Sequence, residues 1–378
     1  MAKVISSASA NETLTKAIPD TDAIDTDVID TDVIGTDVIE QDFALVIAQD
    51  QAKIGGYGYQ IISQQSQRIA ALKASVLADK DSENLHQMRI ATRRLTAAVL
   101  LFADAMEMRS AKGKKKSAQK VARALKRLTH SLGGVRDMDV MGQWFSDALQ
   151  KDKESSRFSK KEKKTMTALL KTIKKRRKKN VSKLENTLKS DRYKKLIGQF
   201  QQWTAQPAFT EAAQAPAAEA AAKKIIDPIA TLLQHPAWTM ASGRVSERGE
   251  AHFAPITNLT LEQLNQELEE NGELLHNLRK EIKNVRYQAE FFRGLYGITY
   301  AAQVREFRKL QKILGSLQDQ IVIGQFLADE LGKKWEKKLP TIAADFQNSR
   351  LALWEQWQPY QKKYLKLRGN LPACQRAA

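Results

Sequence analysis

The chain has 378 residues, with 61 lysines and arginines against 43 carboxylates, and one cysteine. That length allows two ordinary domains or two similar halves around substantial cores, and the lone Cys374 excludes an intrachain disulfide or a cysteine zinc site. A net charge of +18 repels itself and points to a polyanionic partner: nucleic acid, an anionic membrane or a phosphate polymer.

Residues 1–50 carry eleven carboxylates and two lysines, so the remainder is more basic than the total suggests. DTDAI DTDVI DTDVI GTDVI at 20–39 has a period that fits neither helix nor strand, which predicts an acidic, low-complexity, disordered tail. Such a tail could compete for the protein's own basic site. Neither a signal-peptide core nor an apolar run of roughly 18 residues occurs, so the sequence reads as soluble and cytoplasmic with no membrane partner.

IGGYG at 54–58 lacks the preceding strand and the lysine of a phosphate loop and reads as a hinge. Helical periodicity then dominates residues 51–203, with segments expected at 58–78, 83–107, 115–132, 136–150, 160–187 and 191–203. Alanine, proline and glutamine mark 204–260 as a connector holding a short helix near 217–235 and a loop. A second helical half spans 261–378, with helices expected at 260–270, 272–296, 301–318, 319–337 and 340–366. The predicted class is all-α, essentially without sheet.

The two halves share a repeat. LHQMRIATRRL at 85–95 aligns without a gap with LHNLRKEIKNV at 275–285, which pairs His86 with His276, Arg89 with Arg279, Arg93 with Lys283 and Phe102 with Phe292. Leu85, Met88, Thr92, Leu95, Val99 and Phe102 form one helical stripe, matched by Leu275, Leu278, Ile282, Val285, Ala289 and Phe292. His86, Arg89 and Arg93 each lie one residue past that stripe, as do His276, Arg279, Lys283 and Arg286, so both cation sets should border the core. Aligning LGGVRD at 132–137 with LGSLQD at 314–319 gives a second row per half. It pairs Arg123 with Arg305, Lys126 with Arg308, Arg127 with Lys309 and His130 with Lys312. Four converging rows would make an anion-binding groove.

These motifs, LHQMRIATRRLTAAVLLF, KVARALKRLTHSLGGVRDMDV, LHNLRKEIKNVRYQAEFF and REFRKLQKILGSLQD, resemble the CHAD domain, the conserved histidine α-helical domain. The resemblance covers most of residues 57–365. It implies two four-helix bundles related by a pseudo-two-fold, enclosing a basic central groove that binds inorganic polyphosphate, and an association with polyphosphate granules. The candidate polyphosphate site therefore also takes in Arg94, Arg136, Lys280 and Tyr287. The halves are not identical: Asn284 stands opposite Arg94, Arg286 and Tyr287 replace Thr96 and Ala97, and Gln318 and Ile321 replace Arg136 and Asp139. No ExExK signature of the triphosphatase domain often fused to such proteins is present.

Polyphosphate offers charge, oxygen geometry and flexibility but no bases. Arginine forks onto its oxygens, lysine supplies point charge, and histidine titrates near neutrality. Neighbouring cations should hold His86 and His276 neutral until phosphate favours their protonation, so binding should tighten from about pH 7.5 to 6.

Other readings compete. KKRRKK at 174–179 resembles a nucleic-acid patch but belongs to a helix with Met166, Leu169, Ile173 and Leu184 as its apolar side, which favours a solvated outer face. Trp335, Trp354 and Trp357 should pack the second half, and His235 and His252 should be structural. Glu83-x-x-His86 and Glu273-x-x-His276 imitate di-iron ligand pairs, yet Arg89 and Arg279 one turn away disfavour a dication, and both glutamates suit first-turn positions. No phosphate loop, nucleophile–base pair or aspartate cluster for two magnesium ions supports catalysis, and no cofactor is expected. The sequence thus points to a non-enzymatic polyphosphate-binding protein. A nucleic-acid-binding protein is the first alternative, and a metal-binding or phosphohistidine-forming enzyme of phosphate metabolism the next.

Overall fold

The computed structural model describes residues 53–109, 115–247, 250–256 and 258–369. The acidic repeat and Cys374 lie outside them. Nine α-helices make up most of the described chain. They are α1 (Ile54–Ala78), α2 (Ser82–Leu101), α3 (Ala118–Ser155), α4 (Lys160–Lys189), α5 (Asp191–Ala205), α6 (Ala217–Gln234), α7 (Leu261–Phe291), α8 (Ile298–Leu331) and α9 (Pro340–Gly369). The fold is all-α.

Local sequence sets the helix starts. The Asp81 side chain accepts from the Glu83 amide at 2.9 Å and opens α2, while reciprocal capping boxes open α4 at Ser159 and Glu162 and α7 at Thr260 and Gln263. Asp79 ends α1 in the left-handed region, with φ 47°, and Ser156 does the same after α3.

Three expectations about breaks are corrected. The segments 115–132 and 136–150 form one helix, α3, which runs straight through Gly133 and Gly134. Likewise 260–270 and 272–296 merge into α7 across Gly272, and 301–318 joins most of 319–337 in α8. A glycine lowers helix propensity by only about 1 kcal/mol, which tertiary packing overrides. The IGGYG segment is no hinge: it forms the first turns of α1. A Cβ at Gly55 would stand 2.5 Å from the Ala213 Cβ, and one at Gly58 would stand 2.7 Å from the Phe102 ring. Those glycines admit close neighbours.

Strand content is small. Met108–Arg109 (β1) pairs with Lys115–Lys116 (β2), so the helix expected over 83–107 stops at Leu101. The expected loop after α6 instead holds an antiparallel hairpin of Ser242–Glu247 (β3) and Glu250–Pro255 (β4).

Burial is organised in three clusters. One gathers α1, α2, α3, the end of α4, α5 and the first turns of α6, and is completed by Phe291 and Phe292 from the end of α7. A second joins α7, α8 and α9 around Trp238, which stacks on Trp357 at 4.9 Å and on Tyr364 at 4.4 Å. The third fastens the two halves together: Val140, Met141 and Phe145 of α3 and Met166 of α4 meet Ile323, Phe326 and Leu327 of α8 and Phe346 of α9. Trp335 belongs to this shared cluster, not to the second half alone.

Candidate functional site

The core-facing stripe of α2 is buried as its spacing requires, and the flank beside it is buried too. His86, Arg89 and Arg93 are all under a tenth exposed. A buried guanidinium needs partners, because desolvation is otherwise unrecovered. Arg89 Nη1 donates to the Thr129 carbonyl of α3 at 3.2 Å. It reaches that carbonyl across Gly133, where a Cβ would lie 2.6 Å from the same nitrogen. The glycine inside α3 is therefore the seat of Arg89.

The second copy repeats the placement. Arg279 and Arg286 are buried at 2% and 3%, while Lys280 and Lys283 are partly exposed. His276 Nδ1 lies 2.9 Å from Gln318 Oε1 on α8. Burial, with Lys280, Arg279 and Lys283 nearby, lowers the His276 pKa below 6.5, against the opposing pull of the Gln318 hydrogen bond.

The second rows differ in kind. Arg123, Lys126, Arg127 and His130 on α3 are exposed, as are Arg305, Lys309 and Lys312 on α8. Arg136 and Arg308 are half-buried. Each half thus pairs a deep cation row with an accessible one.

The two halves meet where α2 crosses α7. Tyr287 of α7 has Arg93 of α2 over its ring at 5.3 Å and Arg286 at 4.5 Å. One turn on, the buried Glu290 carboxylate accepts from Arg286 at 2.9 Å, Arg308 at 2.8 Å and Arg94 at 3.4 Å. Burial alone would raise its pKa, but the three guanidinium groups prevail and hold it at about 2. Glu290 escaped the sequence reading, although it continues the flank 276, 279, 283 and 286. Its spacing of four from Arg286 was the available signal. Arg94, Arg286 and Arg308 are therefore tied to a carboxylate at this crossing.

The crossing and the third apolar cluster are two separate joints between the halves. Along α8, Gln318 lies between Arg308 at the crossing and Ile323 of the third cluster, and it faces His276 of α7. Remaining candidates sit apart. His235 is buried, its Nδ1 accepts from the Ala237 amide at 3.1 Å, and burial lowers its pKa. The His252 side chain lies outside the described residues. Glu83 occupies the first turn of α2, but Glu273 stands in mid-α7, so first-turn placement does not account for it. Among the described residues, no group of three or more His, Cys, Asp or Glu side chains is disposed to hold a metal ion. None of their helices is long and apolar enough to cross a membrane. In KKRRKK the four lysines are exposed, whereas Arg176 pairs with Glu330 and Arg177 pairs with Asp79 and Asp139.

No curated protein matches the sequence. Among solved structures, the crystal structure of the CHAD domain from the plant Ricinus communis is similar, with a TM-score of 0.52 at 22% identity, over 86% of this chain and 94% of that one. PptA from Streptomyces chartreusis aligns with a TM-score of 0.49 at 15% identity, over 83% of this chain and 96% of that one. The model of the CHAD domain family matches residues 60–328, and the chain belongs to that family.

Proposed function

We propose that this protein binds inorganic polyphosphate without catalysis, in a basic groove between two pseudo-symmetric helical halves. The supporting observation is the crossing of α2 and α7, where Arg93 from one copy of the repeat and Arg286 from the other share the ring of Tyr287. Rows that would be two unrelated surfaces in isolation are thereby set against each other. His86, Arg89 and Arg279 line the depth, and Lys280, Lys283, Arg305, Lys309 and Lys312 supply accessible charge.

Each exposed contact contributes about 1 kcal/mol or less, so affinity rests on number. An unbranched polymer with one charge per unit satisfies many such contacts in sequence. Binding in the cytoplasm at polyphosphate granules accords with this chemistry. Nucleic acid is the second reading, supported by the same charge excess.

Competition decides between them. Labelled long-chain polyphosphate is displaced by unlabelled polyphosphate, single- and double-stranded DNA, or RNA at near-physiological salt. The reading requires polyphosphate to win per phosphate; a duplex that wins refutes it.

A further inference from the structure

The lysine run on α4 is not absorbed by the groove. At about 100° per residue, Lys160, Lys164, Lys171, Lys174, Lys175 and Lys178 fall within roughly 100° of arc, opposite the buried Met166, Leu169 and Ile173. All six are exposed, and none has an ion-pair partner among the described residues. Three of the i,i+4 pairs, 160 with 164, 171 with 175 and 174 with 178, set like charges one turn apart, which disfavours an isolated helix. Between Lys160 and Leu184 the single carboxylate of α4 is Glu162, which is buried and turned to the Ser159 cap and the Thr341 amide.

The two arginines of the same run behave differently. Arg177 donates to both carboxylate oxygens of Asp79 at 2.6 and 2.7 Å and to Asp139, and Arg176 pairs with Glu330 of α8. Asn180 donates to the Gly134 carbonyl of α3 at 2.6 Å. Arginine fixes α4 to both halves of the molecule, so its lysine face is a rigid, straight strip about 27 Å long from residue 160 to residue 178.

We infer that this strip is a second polyphosphate-binding surface, outside the groove, that lets one molecule hold two polymer segments at once. The inference rests on the function proposed above. A flexible single-chain polyanion can lie along a straight lysine row, whereas a rigid duplex touches it only where one strand crosses. α4 carries no aromatic side chain on which a base could stack, which favours the inorganic polymer over single-stranded nucleic acid. Holding two segments makes the protein a crosslinker of long chains, and linkage raises apparent affinity for them without new contacts.

The test uses the full chain with long-chain polyphosphate and with tripolyphosphate, read by light scattering and by sedimentation. The variant Lys164→Glu/Lys171→Glu/Lys175→Glu/Lys178→Glu keeps the wild-type helical spectrum and tripolyphosphate affinity. It loses polymer crosslinking, and its affinity for the long chain falls about 10²-fold. The matching Lys→Arg variant keeps the strip charged and retains crosslinking, so failure to fold is separable from loss of the surface. A Lys→Glu variant that crosslinks long-chain polyphosphate like wild type overturns the inference. A wild-type chain that binds one segment per molecule overturns this inference alone. If the wild-type chain binds no polyphosphate at all, the groove reading falls as well.

Discussion

Phe102 and Phe292 hold equivalent positions in the two copies of the repeat, and they meet edge to face with ring centroids 5.8 Å apart. Equivalent positions touch each other in an isologous contact. Tyr57 reinforces the junction: it stacks on Phe292 at 5.9 Å and donates its hydroxyl to the Phe291 carbonyl at 2.5 Å. The electrostatic tie around Glu290 begins two residues before this aromatic one.

Glu290→Gln should destabilise the protein by about 3–5 kcal/mol near pH 7, because it leaves guanidinium groups buried around a neutral amide. The carboxyl is held at about 2 in the fold against an ordinary 4.5, so its stabilisation is complete above the ordinary value and fades as pH falls toward 2. Urea denaturation at about pH 7 and about pH 3 checks this: the gap between wild type and variant should shrink at the lower pH.

Gly133→Ala should separate binding from stability. The added methyl group stands where Arg89 Nη1 now lies, and that nitrogen is the far end of a flexible side chain. Helix propensity improves by about 1 kcal/mol and offsets the lost Thr129 contact. Stability should stay within about 1 kcal/mol of wild type while polyphosphate affinity falls about tenfold, measured by denaturation and titration in parallel.

Charge reversal has to be aimed at the exposed rows. Arg279 is 2% exposed and Arg89 is seated on Gly133, so a glutamate at either site would unfold its surroundings and say nothing of binding. Arg305→Glu/Lys309→Glu/Lys312→Glu lies on the accessible face of α8. Its circular dichroism should match wild type. Polyphosphate binding should collapse, and the log–log salt dependence should flatten by about 0.7 for each contact removed.

His276 gives affinity a pH dependence. Its folded pKa is lowered from 6.5, so the unfolded chain takes up a proton first and the empty protein loses stability as pH drops through that value. Bound phosphate oxygens beside Lys280, Arg279 and Lys283 reverse the balance by favouring the imidazolium. Polyphosphate affinity should rise from about pH 7.5 to 6, and His276→Gln should flatten that rise. The buried His235 loses stability with the same sign, so the comparison is made on affinity and not on melting temperature.

The class and the stripes were readable because period is a local property: Leu85, Met88, Leu95 and Val99 declare a helix and its inner face without any tertiary knowledge. Helix ends were less readable. Gly133 looks like a break and is a berth for Arg89, and nothing near it in the chain announces a side chain arriving from another helix. Depth was misjudged for the same reason. Spacing placed Arg89 and Arg279 beside the core, but the burial of Arg89 comes from α3 packing over it. Glu290 carried a usable signal in its register with Arg286; its bonds to Arg94 and Arg308 come from elements the sequence could not bring together.

Phe291 and Phe292 fill the core of the first half although they end a helix of the second. Among the buried residues of this core, Phe291 and Phe292 come last in the chain, after every helix they pack against. A first half made alone would expose the apolar surface those two rings cover, which favours aggregation. A gene split between α6 and α7 should therefore yield an N-terminal product that aggregates and is relieved by supplying the missing piece in trans.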